Sequence, residues 1–254
     1  MRPGTKLEGR LRIASYNIRK AVGLDWRRRP DRILAVLDEI APDIVVLQEA
    51  DKRLGVRPAA LPPPMLESHG DFVHLDPGPG PSLGWHGNAI LLRRGLRGQI
   101  TDRLTLPGLE PRGALVARVT TGKGGGKRTF VLVAAHLGLN LGSRHQQMAA
   151  ILEALRGLDL PVILAGDLNE RRPDRLLAPF EHDLTTVTPG PSFHAARPFV
   201  ALDHMMLRGQ VRAAGTGVHA SPLSRVASDH LPIWADIEVE GAKAATPRRR
   251  AAPS

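Results

Sequence analysis

Residues 162–169 have the sequence Val-Ile-Leu-Ala-Gly-Asp-Leu-Asn, in which an apolar run leads directly into an aspartate and an asparagine. A short continuous apolar run is typical of a strand that is buried on both faces. Residues 44–47, Ile-Val-Val-Leu, have the same character and are followed by Gln48 and Glu49. Polar side chains therefore follow two buried strands, and strand ends that meet at one rim form an active site.

Helices and further strands alternate with these runs along the chain. Residues 11–16 form a predicted first strand, and Pro30 opens a helix whose apolar residues follow a helical period. A second helix is predicted over residues 143–155, with Ser143 as its N-cap and Gly157 as its terminator. The other predicted strands comprise residues 88–92, 99–104, 114–119, 129–135, 161–165, 203–207, 211–215 and 233–239.

Three segments rich in glycine, proline or arginine predict loops. Residues 51–64 and 76–84 contain too many prolines for regular elements, and residues 122–126 predict a loose hairpin turn between antiparallel strands. Strand-helix units mixed with hairpins favour a mixed-sheet α/β or α+β fold over a purely parallel one. The 254 residues predict one domain over residues 1–240, followed by a basic, disordered tail over residues 241–254.

The composition limits the possible chemistry and location. Hydrophobic residues make up 42% of the chain and can build a core, whereas the 4% of aromatic residues offers no evident platform for stacking bases. Because the chain has no cysteine, any metal must bind oxygen or imidazole. No apolar targeting or membrane-spanning segment is evident, so we expect a cytoplasmic monomer without a protein partner.

The net charge of +10 is carried mainly by arginine. Basic side chains favour binding to polyanions, because they release counterions from phosphate groups. Codon bias in a whole genome is an equally good explanation of arginine richness. Four of the ten excess charges lie in residues 241–254.

Seven short polar motifs each lie next to an apolar run. They are Ser15-Tyr16-Asn17-Ile18-Arg19, Gln48-Glu49, Gly87-Asn88-Ala89, His136-Leu137-Gly138, Gly166-Asp167-Leu168-Asn169, Leu202-Asp203-His204 and Ser228-Asp229-His230. In their order and spacing they resemble the endonuclease/exonuclease/phosphatase superfamily, which includes pancreatic deoxyribonuclease, AP endonucleases, neutral sphingomyelinases and inositol polyphosphate 5-phosphatases. The resemblance covers residues 11–239 and implies a four-layer sandwich of two packed mixed β-sheets flanked by helices.

The resemblance also implies a site for Mg²⁺, or for Mn²⁺ in its place. Glu49 offers the hard carboxylate that such ions prefer, and the resemblance makes it the principal ligand. Asn17 would either ligate the metal or bond to the ligand carboxylate, and Asp229 would approach the metal directly or through water. Some AP endonucleases have an acidic residue where this chain has Arg19, so their metal site is not fully matched.

Histidine and carboxylate residues supply the expected proton chemistry. His230 is a candidate general base, because imidazole titrates near neutral pH, and the resemblance pairs it with Asp203 as its orienting partner. The resemblance gives Asp167 the positioning or activation of the attacking water, so the division of labour between Asp167 and His230 stays open. Asn169 would contact the phosphate or Asp167, and both side chains would share one face if the strand continued.

Four further residues are expected to contact the substrate. The position of His136 matches a family residue that donates a hydrogen bond to the phosphate. Arg112 and Arg144 are candidate phosphate contacts, because guanidinium groups match phosphate oxygens, although a solvent-exposed arginine is almost as common. Asn88 is a candidate substrate contact beside Trp85, which could stack on a base or pack in the protein.

The function predicted from these residues is Mg²⁺-dependent hydrolysis of phosphodiester bonds, with nucleic acid as the leading substrate because of the charge. The alternative is a phospholipid or inositol-phosphate hydrolase on the same scaffold. The sequence shows no obvious apolar loop for a membrane surface and no basic cluster specific to an inositol polyphosphate. A catalytically silent polyanion-binding protein is disfavoured, because Glu49, Asp167, Asp203, Asp229 and His230 are all present.

Overall fold

A computed structural model describes residues 10–52, 56–122 and 127–240. Within these ranges the first half of the chain forms β1 (Arg10–Asn17), a 3₁₀ turn (Arg19–Ala21), α1 (Pro30–Ile40), β2 (Ile44–Gln48), α2 (Pro63–His69), β3 (Phe72–His74), β4 (Ala89–Arg93), β5 (Arg97–Leu106) and β6 (Arg112–Thr121). The second half forms β7 (Arg128–His136), α3 (Leu141–Ala154), β8 (Val162–Asp167), α4 (Pro173–Leu177), β9 (Thr185–Val187), β10 (Asp203–Arg208), β11 (Val211–Val218), α5 (Ser224–Ala227) and β12 (Ile233–Val239).

The strands form two six-stranded sheets with matching organisation. The first has the order β11-β12-β1-β2-β4-β3, and the second has the order β5-β6-β7-β8-β10-β9. Each sheet has one parallel pair at its centre, β1 with β2 and β7 with β8, and its other pairs are antiparallel. The predicted mixed sheets are therefore confirmed.

Three hydrophobic clusters connect four layers. In β2, Ile44 and Val46 point between the sheets, whereas Val45 and Leu47 pack against α1 and α2. In β8, Ile163 likewise faces the other sheet, while its neighbours pack against α3 and α4. Successive strand residues point to opposite faces, so a continuous apolar run is what a sheet between two layers requires. The predicted four-layer sandwich is confirmed.

Several predicted boundaries were wrong for local reasons. The loop predicted over residues 51–64 ends earlier, because Pro63 begins α2, where a missing backbone donor is tolerated. Ser143 does not cap α3: the side chain of Asn140 accepts hydrogen bonds from the backbone N–H groups of Gly142 and Ser143 at 2.8 and 3.3 Å. Asn140 thus satisfies two donors that a helix N-terminus leaves unpaired.

Two predictions fall on parts of the chain that lie outside the described residues. The hairpin turn was predicted over residues 122–126, of which the structure describes Gly122 alone. The basic tail, residues 241–254, also lies outside them, so its disorder stays a prediction. Among the helices that the structure describes, none combines the length and apolar character needed to cross a bilayer.

Replacing Ala41 with glycine is expected to stabilise the protein. Ala41 ends α1 in the left-handed region, with φ 52° and ψ 49°, and its side chain is exposed. The left-handed conformation costs a non-glycine residue about 1–2 kcal/mol of steric strain, which glycine avoids. Glycine loses more conformational entropy on folding than alanine does, so we expect a net gain of about 0.5–1 kcal/mol in the free energy of unfolding. Urea unfolding measures this change.

The matched control for that measurement is Gly70→Ala, which places alanine at the left-handed end of α2. Gly70 has φ 85°, and the space that an added Cβ atom would occupy is open, so backbone strain is the main effect of the substitution. We expect a loss of stability of about 1 kcal/mol. A gain in Gly70→Ala, or a loss in Ala41→Gly, would contradict the argument.

Candidate active site

The predicted polar residues meet where the two sheets end side by side. Asn17 and His136 are the last residues of β1 and β7, Asp167 is the last residue of β8, and Glu49 follows β2. His136 is in register with Asp167, and Asp203, the first residue of antiparallel β10, pairs with Asp167 from the other side. Parallel strands point their carboxyl ends to one edge, so the topology brings these side chains together.

The carboxylate of Asp167 connects the two sheets. Its Oδ2 accepts a hydrogen bond from Asn17 Nδ2 at 3.0 Å. The same oxygen lies 3.4 Å from Nε2 of His136 and 3.6 Å from Nε2 of His230. Asp167 is buried, so the charge of this carboxylate is screened little by solvent. One oxygen thus gathers an amide from the first sheet and two imidazoles.

His230 is held by a carboxylate on its other nitrogen. Its Nδ1 donates to Asp203 Oδ2 at 2.9 Å, and Ser192 Oγ donates to the same oxygen at 2.5 Å. The ring of Phe193 lies 4.9 Å from the imidazole. Burial lowers the pKa of His230, but the carboxylates of Asp203 and Asp167 outweigh this effect and raise the pKa to about 9. The expected hydrogen bond between Asp203 and His230 is present.

His136 is in a different electrostatic state. Burial lowers the pKa of His136 to about 3, and the charge of Arg112 adds to this effect, whereas Asp167 opposes it. Arg112 Nη1 lies 3.1 Å from His136 Nδ1. Because a guanidinium can only donate, Nδ1 must accept, and the neutral ring carries its proton on Nε2. This N–H faces Asp167 and is the group that can donate to a phosphate.

Two other carboxylates at the rim are paired with cations from one short segment. Glu49 forms an ion pair with the ammonium group of Lys20. Asp229 Oδ2 lies 3.4 Å from Nε of Arg19. The side chains of Glu49 and Asp229 are 24% and 25% exposed, so solvent ions can reach them. Both carboxylates thus already attract positive charge in this state.

The backbone that supplies these cations is strained. Arg19, Lys20 and Ala21 have φ values of 44°, 59° and 58°, and Glu49 has φ 53°. Hydrogen bonds from Arg19 N to Asn17 Oδ1 at 3.1 Å and from Lys20 N to Glu49 O at 3.0 Å hold the turn in place. Consecutive non-glycine residues with positive φ are uncommon, and such strained residues concentrate at functional sites.

Comparison with known proteins agrees with this geometry. The model of the Endonuclease/Exonuclease/phosphatase family matches residues 14–230. The chain belongs to this family. The family has the fold of phosphodiesterases and nucleases, and its members generally depend on a divalent metal. The superfamily predicted from the seven motifs is confirmed.

Individual relatives are distant. The chain is 30% identical over 167 residues to the uncharacterized protein YbhP of Escherichia coli (strain K12), an alignment covering 61% of this chain and 64% of that protein. Humanized TDP2 of D. rerio has a TM-score of 0.70 at 20% identity, covering 91% of this chain and 99% of that one. The human Nocturnin catalytic domain has a TM-score of 0.67 at 19% identity, covering 91% and 95%. At 20% and 19% identity, these two solved structures show only that this chain has the same fold as they do.

The strand does not continue to Asn169, the last residue of the Gly-Asp-Leu-Asn motif. The expected sharing of one strand face by Asp167 and Asn169 is therefore absent. Asn169 has φ 50°, so the strand conformation ends before it. Asp167 Oδ1 accepts from the backbone N–H of Asn169 at 3.0 Å, and Asn169 Nδ2 donates to Leu137 O at 2.9 Å. Asn169 therefore fixes the carboxylate of Asp167 and ties it to the loop after β7.

Asn88 and Arg144 lie in protein contacts beside the cluster. Asn88 is fully buried, and its Nδ2 donates to Gly113 O at 2.8 Å. Arg144 is also buried; it donates to Glu170 Oε2 at 2.8 Å and to Leu139 O at 2.6 Å. These contacts hold both side chains within the protein, and their contact with substrate stays a prediction.

Sequence reasoning missed residues that position the catalytic candidates. Ser228 Oγ donates to Asn17 O at 2.7 Å and so joins the last loop to β1. Ser192 holds Asp203, and His204 Nε2 lies 2.7 Å from Glu170 O behind the cluster. Ser228 and His204 had a signal in the sequence, since each lies in one of the seven motifs. Ser192 belongs to none of the seven motifs, and only the folded structure brings its loop, between β9 and β10, next to Asp203.

Proposed function

We propose that this protein hydrolyses phosphodiester bonds with the help of Mg²⁺ or Mn²⁺. The observation that carries the proposal is the arrangement around Asp167, where one oxygen lies within 3.6 Å of Asn17, His136 and His230. Hydrolysis of a phosphodiester needs an oriented water, an acceptor for its proton and donors for the phosphate oxygens. This cluster supplies side chains for all three tasks at one point.

Glu49, Asn17 and Asp229 are the residues that we propose to hold the metal. Their carboxylate and amide oxygens form the hard donor set that Mg²⁺ prefers, and both carboxylates are reachable and already paired with cations. Asp167, Asp203 and His230 also place ligand atoms within 4.8 Å of one another, but they are buried and bonded among themselves. When bound, the metal would neutralise charge on the phosphate and the leaving oxygen.

The remaining roles follow from the hydrogen bonds. Asp167 and His230 face the same point. Because the raised pKa of His230 keeps its ring protonated at neutral pH, His230 orients the attacking water and Asp167 accepts the proton of that water. Asp203 holds the ring of His230 through Nδ1. His136 donates through Nε2 to a phosphate oxygen, and Arg112 fixes the tautomer that makes this possible. Arg112 also brings positive charge to the site.

The substrate class depends on the surface around these residues. Nucleic acid is the leading candidate, because the chain has a net charge of +10. In support, another structure of D. rerio TDP2 is complexed with single strand DNA product. Anionic phospholipids are also polyanionic when assembled in a bilayer, so a phospholipid or inositol-phosphate hydrolase is the second candidate.

The experiment that tests the reaction is hydrolysis of a substrate panel by the purified protein. The panel contains plasmid DNA, an abasic-site duplex, RNA, phospholipid and an inositol phosphate, each with Mg²⁺ and with EDTA. We expect turnover that EDTA abolishes and added Mg²⁺ restores. No turnover of any substrate, together with retained DNA binding, would contradict hydrolysis and favour the silent polyanion-binding protein.

Replacing Lys20 with methionine is expected to tighten metal binding. The ammonium group of Lys20 pairs with Glu49, so it competes with a metal for that carboxylate. Removing one such ion pair is worth about 1 kcal/mol, which corresponds to roughly five-fold tighter binding. Titration of Mn²⁺ by electron paramagnetic resonance measures this affinity without any substrate.

The matched control for Lys20→Met is Arg156→Met, which also removes one positive charge. Arg156 pairs with Glu153 on the exposed surface of α3. Its replacement should leave the affinity for Mn²⁺ close to that of the wild type. Equal affinities in Lys20→Met and Arg156→Met would mean that Lys20 does not compete at a metal site on Glu49.

A further inference from the structure

The large hydrophobic side chains with the greatest exposure share one location in the fold. Among the described residues, five of them are between 68% and 86% exposed: Trp26, Val56, Leu109, Leu139 and Phe199. The next most exposed, Val73, Val226 and Leu158, reach 45% at most. We call the first five residues the apolar rim.

Each residue of the apolar rim lies in a loop that also leads to a candidate active-site residue. Trp26 and Val56 follow β1 and β2, the strands that lead to Asn17 and Glu49. Leu109 precedes β6 with Arg112, Leu139 follows β7 with His136, and Phe199 precedes β10 with Asp203. Hydrophobic side chains scattered singly over a surface need no explanation, but five strongly exposed ones on loops that lead to candidate active-site residues do.

Direct contacts connect the rim to the site. Arg19, which pairs with Asp229, places its guanidinium 4.7 Å from the ring centre of Trp26. The backbone N–H of Leu139 donates to Glu110 Oε1 at 3.3 Å, which joins the loops of Leu139 and Leu109.

The loop of Phe199 is connected in the same way. The backbone N–H of Phe199 donates to Phe193 O at 3.0 Å, and the ring of Phe193 lies 4.9 Å from that of His230. The apolar rim therefore lies at the same end of the two sheets as the candidate active site.

Positive charge accompanies the rim. Arg27 and Arg28 follow Trp26 directly, and Arg197 lies two residues before Phe199; all three are exposed. Arg171 and Arg172 are also exposed, in the loop after β8. Two acids near Trp26 are compensated: Asp25 pairs with Arg32 at 2.7 Å and Asp31 with Arg29 at 2.6 Å. This end of the molecule thus combines exposed apolar side chains with exposed arginines.

We propose that the apolar rim docks on the surface of an anionic phospholipid bilayer, with the active site facing the lipid headgroups. Side chains such as Trp, Phe and Leu insert at the headgroup boundary, while arginines beside them attract anionic lipids. Three of the five rim residues are aliphatic and cannot stack on nucleic-acid bases, which favours a bilayer over single-stranded nucleic acid. The sequence showed no apolar loop because each of five loops contributes one residue.

Sedimentation with lipid vesicles tests the docking, with EDTA present so that no hydrolysis is needed. The full chain should bind vesicles with about 30% phosphatidylglycerol far better than vesicles of pure phosphatidylcholine, since anionic lipid attracts the arginines. The emission of Trp26 should shift to the blue on binding, and the shift should be lost in Trp26→Ala. Failure to bind anionic vesicles would overturn the proposal and leave the proposed hydrolysis untouched.

Two variants distinguish binding through the apolar rim from nonspecific binding to vesicles. Leu109→Asp with Leu139→Asp should lower vesicle binding by roughly ten-fold or more, because it places charge where apolar side chains enter the interface. The matched control is Leu158→Asp. Leu158 precedes the first residue of β8, whereas the candidate active site lies at the last residue of β8, so this variant should bind vesicles as the wild type does. Circular dichroism and thermal unfolding establish that both proteins are folded.

Two outcomes of these measurements contradict a membrane surface. Equal loss of vesicle binding in the control and in the rim variant would mean that the rim is not the docking site. Loss of single-stranded DNA binding in the rim variant, with vesicle binding unchanged, would assign the rim to nucleic acid.

Discussion

Replacing His230 with alanine is expected to lower kcat by about a thousand-fold in the presence of saturating Mg²⁺, since a positioned acid or base contributes roughly 10²–10⁴-fold. His230 lies 2.9 Å from Asp203 and 3.6 Å from Asp167, and no other imidazole among the described residues bridges those two carboxylates. In the proposed mechanism, its loss removes one of the two side chains that orient the attacking water. The substrate that gives the highest turnover in the panel serves for this measurement.

The control for this substitution is His182→Ala, which removes an exposed imidazole outside the cluster. It should leave kcat within a factor of about two of the wild type, as expected for surface substitutions. Asp203→Asn tests the orienting hydrogen bond separately, and we expect a smaller loss of kcat than in His230→Ala. An unchanged kcat in folded His230→Ala would remove this residue from the mechanism.

Replacing Arg144 with methionine is expected to lower the free energy of unfolding by about 3–5 kcal/mol, the usual cost of breaking a buried ion pair. Arg144 and Glu170 are 2.8 Å apart, and both side chains are less than one-tenth exposed. Arg144 also donates to the carbonyls of Gly138 and Leu139. Its loss leaves a buried carboxylate and two carbonyl groups without their donor.

The state of Glu170 gives this pair a pH dependence. Burial raises the pKa of Glu170, but the backbone N–H of Arg172 and the side chain of Arg144 outweigh this and hold the pKa below its ordinary value. A lowered pKa in the folded state contributes stability above the ordinary carboxyl range, and this contribution is lost as the pH falls through the lowered pKa. The stability difference between wild type and Arg144→Met should therefore shrink in acid.

Urea unfolding of a double variant separates the lost pair from general damage. Arg144→Met combined with Glu170→Met should recover much of the stability, because no charge remains buried without a partner. Arg156→Met removes the exposed partner of Glu153 and should change the unfolding free energy by less than about 1 kcal/mol. A double variant no more stable than Arg144→Met alone would contradict an ion-pair explanation.

The predicted elements show how far local sequence patterns extend. Apolar runs such as residues 44–47 and 162–165 predicted the central strands, because burial between two layers requires apolar residues on both faces. The short helices α2, α4 and α5 and the strands β3 and β9 were missed, since three to seven residues carry too little periodic signal. Their conformation is stabilised mainly by packing on the sheets.

The site shows the same division between local and tertiary information. Motif order alone selected Asp167, Asp203 and His230, and the structure places all three in one cluster, although their catalytic roles stay proposals. Sequence also suggested phosphate contacts for Arg144, but its side chain lies in a buried ion pair, because the fold brings Glu170 within reach. A residue type indicates a possible chemistry, and its surroundings decide whether that chemistry is used.

The sequence by itself determined the family, the central strands and the polar residues at their ends, because these depend on local composition and on the order of motifs. Tertiary structure alone decided the side-chain pairs that no motif indicated, such as Ser192 with Asp203 and Lys20 with Glu49. It alone also placed the exposed side chains of Trp26, Leu139 and Phe199 at one end of the two sheets. Contacts between residues far apart in the chain depend on how the two sheets pack, and a local sequence pattern does not specify that packing.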